Sequence, residues 1–63
     1  MSTAQLRRLV QYLQETLAVP ENEIALGLRQ TGQATNLLPM VLWQYGLLST
    51  EQLNQVFDWI ENA

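Results

Sequence analysis

The stretch "PMVLWQYGLLSTEQL", Pro39 to Leu53, decides how this 63-residue chain is read. It holds an apolar helical segment, a glycine stop and a fresh helix start. Asn36 caps the first of these helices, and Pro39 sits in its opening turn, where a proline is tolerated. Leu38, Val41, Leu42 and Tyr45 form its inward stripe, and Gly46 ends it. The next start is chemically explicit. Ser49 and Gln52 have capping-box spacing, and Leu48 before the cap can pack on Leu53 as a hydrophobic staple. Leu53, Val56, Phe57 and Ile60 then recur at i, i+3, i+4 and i+7, the inward stripe of a helix.

Working outward, the N-terminal part carries the same grammar. Leu6, Leu9, Val10, Leu13 and Leu17 lie on one helical stripe, with Ser2 or Thr3 as cap. This helix ends near Ala18, because the residue before Pro20 is biased away from helix. Pro20 opens the next one, where its missing N–H is of no consequence. Glu21 and Glu23 follow, where negative charge suits the helix dipole. Ile24 and Leu28 face inward, and Gly32 is the stop. The predicted helices run over about 3–18, 20–31, 37–45 and 50–62.

A shift of 29 positions superimposes the two halves. Leu9 falls on Leu38, Leu13 on Leu42, Val19 on Leu48, Pro20 on Ser49, Ile24 on Leu53 and Leu28 on Phe57. Each half reads as helix, tight turn, helix. The expected fold is all-α, one domain of four short helices in two tandem αα-hairpins.

Composition removes whole classes of function. The chain has no cysteine, histidine or lysine. That excludes disulfides, thiol and histidine catalysis, and the usual zinc ligand sets. Neither a metal nor a cofactor is expected. Of the acids, Glu21 and Glu51 lie in first turns, with Glu23 close behind; Glu15, Asp58 and Glu61 read as solvated. No carboxylate is placed for acid–base work, so no catalytic residue and no enzyme activity is expected. With net charge −3 and three arginines, phosphate neutralisation has a poor basis, and so does adhesion to an anionic membrane. The second hairpin has the outline of a helix-turn-helix. Its would-be recognition helix carries Glu51, Asp58 and Glu61 and no cation, which repels phosphate and argues against DNA. No apolar run approaches the roughly 20 residues of a membrane span, and the N-terminus lacks the features of a signal peptide. The expected location is cytoplasmic. The apolar fraction of 48% argues for a folded chain. A core this small supplies only roughly 3–5 kcal/mol, so regular helix packing or a partner must contribute.

Two resemblances follow from these residues. From "LVQYLQE" through "IALGLRQ" and "NLLPMVLWQYGL" to "FDWIE", the chain resembles a small cyanobacterial family, the domain of unknown function numbered 2949. That likeness implies a source and no mechanism. The tandem-hairpin pattern is also similar to the N-terminal domain of type II secretion and pilus ATPases, some relatives of which bind cyclic di-GMP. The leucine skeleton is matched by Leu9, Leu13, Ile24 and Leu28, then by Leu38, Leu42, Leu53 and Phe57. The ligand motif of those relatives occurs twice, with an Arg-Leu-Gly opening, a glycine seven residues on, two spaced leucines and a closing glutamine. Arg8 matches its opening arginine, but Leu37 stands at the repeat. Val10 and Pro39 replace the opening glycines, Leu17 replaces a later glycine, and Gly46 remains. Thr31 and Ile60 stand where glutamines belong. The likeness thus implies the fold more than the ligand. A nucleotide-like anion held by Arg7 and Arg8 is the alternative function.

The main candidate site comes from the helical wheel. At about 100° per residue, with Leu38 at zero, Trp43 lies near 140° and Met40 near 200°, opposite the inward stripe. Leu37 and Leu47 can flank them, and Trp59 lies on the shoulder of the last helix. Under the 29-residue shift, Met40, Trp43 and Trp59 correspond to Gln11, Gln14 and Gln30. Two readings fit. Either Met40 and Trp43 are core, in a helix packed on two sides, or Leu37, Met40, Trp43, Leu47 and Trp59 form an interface. The interface would serve another protein or a second copy of the chain. Trp is enriched at binding hot spots, and Met suits adaptable contacts.

Overall fold

The computed structural model describes residues 2–62 and is all-α among them. Its helices are α1 (Thr3–Glu15), α2 (Glu21–Thr31), α3 (Leu38–Gln44) and α4 (Thr50–Glu61), with a 3₁₀ turn at Thr35–Leu37 leading into α3. The four expected helices are present, each within a few residues of its predicted bounds.

Local chemistry sets those bounds. The Ser49 hydroxyl accepts from the Gln52 N–H at 3.1 Å, and Gln52 returns a bond from the Ser49 N–H at 2.9 Å. Ser2 and Gln5 close the same reciprocal box at the start of α1. At the end of α3, Gly46 has φ +75°. Its N–H bonds the Trp43 carbonyl, and the Leu47 N–H reaches back to Leu42 at 2.8 Å. This is the Schellman pattern, whose left-handed residue is best supplied by glycine.

Three boundary expectations need correction. The first helix stops at Glu15, with Thr16 as its cap and not Ala18. Val19 must be extended before Pro20 and is also buried. The chain therefore turns back early, through Ala18 at φ +55°, and the Val19 N–H bonds the Leu13 carbonyl. Pro20 precedes α2 as its N-cap, its carbonyl taking the Glu23 and Ile24 N–H groups. Asn36 does not cap α3. It lies within the 3₁₀ turn, where the Leu37 and Leu38 N–H groups bond the carbonyls of Ala34 and Thr35. Those bonds, with the N–H that Pro39 lacks, leave the start of α3 little need of a side-chain cap.

The core is a single cluster drawn from all four helices and both tight turns. Leu9, Leu13, Leu38, Leu42 and Val56 are completely buried, joined by Val19, Ile24 and Leu48. The 29-residue repeat survives in three dimensions. The end of α1 at Glu15 maps to the end of α3 at Gln44, and the start of α2 at Glu21 to the start of α4 at Thr50. Each buried leucine of α1 falls on a buried leucine of α3.

The two halves are not separate bodies. The most extensive helix contact is α2 against α3, across the linker, with α4 against α3 next. Gly27 permits it: a Cβ there would stand 2.8 Å from Leu38 Cδ1 and 2.9 Å from Leu42 Cδ2. The radius of gyration is 10.4 Å, against about 10.6 Å expected for a compact chain of this length.

Two residues of the expected inward stripes face solvent. Tyr45 is exposed because α3 ends at Gln44, leaving Tyr45 as its cap. Phe57 is exposed because the buried line of α4 is Leu53 and Val56, with Ile60 half-buried; Phe57 falls on its shoulder.

Candidate functional site

The five residues singled out by the wheel divide into two groups. Leu37, Met40 and Trp43 recur every third residue through the 3₁₀ turn and α3, and all three face solvent. Met40 and Trp43 are each 41% exposed and Leu37 is 44% exposed. Trp43 keeps one tie to the fold: its indole Nε1 donates to Thr50 Oγ1, 3.3 Å away at the start of α4. That bond stands the ring across the α3–α4 turn. Phe57, two turns further along α4, lies on the side that carries Thr50, since a seven-residue step brings a helix back to the same face. It is 39% exposed. The exposed face is therefore Leu37, Met40 and Trp43, with Phe57 also exposed on the side of α4 that carries Thr50.

Leu47 and Trp59 belong elsewhere. Both are half-buried and pack against the core. Trp59 stacks on Tyr12 of α1, with ring centroids 4.8 Å apart and planes 17° apart. This stack binds the last helix to the first, a structural use for a residue that the wheel had left on a shoulder. Sequence reasoning placed Phe57 inside. The signal that could have found it is its shoulder position, four residues after Leu53 and one after Val56.

The two arginines of the alternative site also part. Arg7 borders an open groove of about 420 Å³ along α1, together with Thr3, Leu6, Val10, Gln11, Gln14 and Leu28 of α2. Leu6, Val10 and Leu28 make its floor apolar; the guanidinium and two side-chain amides edge it. Arg8, about 100° further around the helix, is exposed and does not line the groove.

Among the described residues, no group of three or more acids is placed to hold a metal ion. The one buried polar side chain, Thr31, donates to the Leu28 carbonyl at 3.0 Å, an ordinary helix back-bond. No buried side-chain nitrogen or oxygen there lacks a partner. Among the described residues no helix is long and apolar enough to cross a membrane.

The family model described as protein of unknown function (DUF2949) matches residues 6–61. The chain belongs to this family. The match runs from Leu6 on the groove floor past Phe57, so the exposed face and all of the groove lining but Thr3 lie inside the family domain. Among curated proteins and among solved structures, none matches.

Proposed function

We propose that this DUF2949 protein is a small, non-enzymatic protein–protein interaction module, cytoplasmic and of cyanobacterial source, that docks through the Leu37/Met40/Trp43 face. One observation carries the reading. Met40 and Trp43 stand 41% exposed where the repeat has Gln11 and Gln14. The first hairpin carries polar side chains at these positions of the repeat, which supports a role outside folding. Large apolar groups left this exposed, beyond what the Trp43–Thr50 bond accounts for, are best explained by a surface that covers them. Trp and Met are enriched in the buried centres of such interfaces.

The test gives the second hairpin the residues of the first. Met40→Gln and Trp43→Gln together should abolish capture of the docking partner. They should lower stability by only about 1 kcal/mol, well short of the roughly 3–5 kcal/mol that truncating a buried aromatic costs. Retained capture, or a loss of several kcal/mol in urea unfolding, would return both residues to a structural role.

A further inference from the structure

We propose that the groove on the first hairpin receives the Met40/Trp43/Phe57 knob of a second copy of this chain. The inference rests on the reading of that face as a docking surface and names what it docks with.

Three observations meet here. The groove is lined by Gln11, Gln14 and Leu28 among others. Under the 29-residue repeat these are the positions of Met40, Trp43 and Phe57. The same place is thus an open groove in one hairpin and holds large, partly exposed apolar side chains in the other. A glutamine at positions 11 and 14 leaves room that a methionine and a tryptophan would occupy. Second, both surfaces are open within one chain: the knob residues are 39–41% exposed while the groove stays unfilled. Third, charge is divided between the hairpins. Arg7, Arg8 and Arg29 all lie in the first, where Glu15, Glu21 and Glu23 balance them to zero net charge, whereas residues 32–63 carry Glu51, Asp58 and Glu61 and no cation. The groove lining contains one cation, Arg7, and no acid. An acidic knob hairpin meeting an Arg-edged apolar groove is complementary in both charge and polarity.

Such a contact joins two different faces, so it closes as a reciprocal pair, closes as a ring, or runs on as a chain of copies. Sedimentation equilibrium on the full chain, from micromolar to millimolar concentration, reads which. The wild type should self-associate, and more weakly as salt is raised. Met40→Gln/Trp43→Gln lacks the knob, and Gln14→Trp fills the groove at an exposed position. Each should be monomeric alone. Mixed in equal amounts they should associate again, because one retains a groove and the other a knob. Should Gln14→Trp fail to fold by circular dichroism, Arg7→Glu takes its place, turning the groove edge against the acidic hairpin.

A wild type that stays monomeric to millimolar concentration overturns the proposal. So does a mixture that does not associate, or a folded Gln14→Trp that self-associates like the wild type, which would mean knob against knob. The broader docking reading fails separately, if Met40→Gln/Trp43→Gln leaves capture of every partner intact or costs several kcal/mol in urea unfolding.

Discussion

Gly27 shows how one hydrogen atom sets the arrangement of a small core. It is buried inside α2, where glycine costs helix stability relative to alanine by about 1 kcal/mol. In return the backbone of α2 lies directly over Leu38 and Leu42. An added Cβ would meet only the ends of two leucine side chains, which can shift, so Gly27→Ala should change stability by less than about 1 kcal/mol as propensity and crowding offset each other. Gly27→Val brings two further carbons and a branched side chain, and should cost about 2–3 kcal/mol. Urea unfolding of the pair checks this; equal stabilities would show that α2 and α3 are not closely seated there. The sequence prints Gly27 plainly within "IALGLRQ". What it does not show is that the facing residues come from another helix. At the candidate site, by contrast, the angle of Met40 and Trp43 on a single helix put them off the inward stripe but left core and interface both open; the fold leaves both partly exposed. The place of Trp59 was not legible, because its partner Tyr12 lies 47 positions away in the chain.

At the level of the elements, the turn between α3 and α4 carries the most explicit chemistry. Gly46 at φ +75° has open space around it. Gly46→Ala therefore costs only the left-handed backbone penalty, about 1–2 kcal/mol. Ser49→Ala removes the hydroxyl of the capping box and should cost about 1 kcal/mol. Because both changes act on one connection, the double variant tests whether turn and cap are independent. Thermal melts should show additive losses, and a double loss well beyond the sum would mean that the Trp43–Thr50 bond at this junction is lost with them. The same region explains which boundaries could be read. Ser49 announces its helix by side-chain bonding, whereas α3 starts through a 3₁₀ turn of backbone bonds, which leaves no residue type to recognise. Asn36 therefore looked like a cap without being one. The early end of α1 was hidden for a related reason: Ala18 is an unusual residue to place at positive φ, and only the burial of Val19 explains it.

At the scale of the whole molecule, the repeat and the packing pull in different directions. The sequence divides into two hairpins of matching helix ends, yet the most extensive helix contact runs between them, from α2 to α3. Leu9 and Leu13 from the first half and Leu38, Leu42 and Val56 from the second share one cluster, and the Tyr12–Trp59 stack joins the first helix to the last. Neither half can bury its leucines alone, and peptides of about 30 residues fall below the size at which an unsupported core holds. Synthetic fragments 1–33 and 34–63 should each be largely unfolded by circular dichroism. Mixed, they should regain helix, since the α2–α3 contact they share is the most extensive between helices of the fold. The intact chain should unfold in one transition, with tryptophan fluorescence and helix signal coinciding. Two separated transitions, or a helical isolated fragment, would show that the hairpins are autonomous units and that the α2–α3 seam contributes little. A single transition would mean that the repeat supplies matching helices while the unlike residues between them, Gly27 facing Leu38 and Leu42, make the two halves one domain.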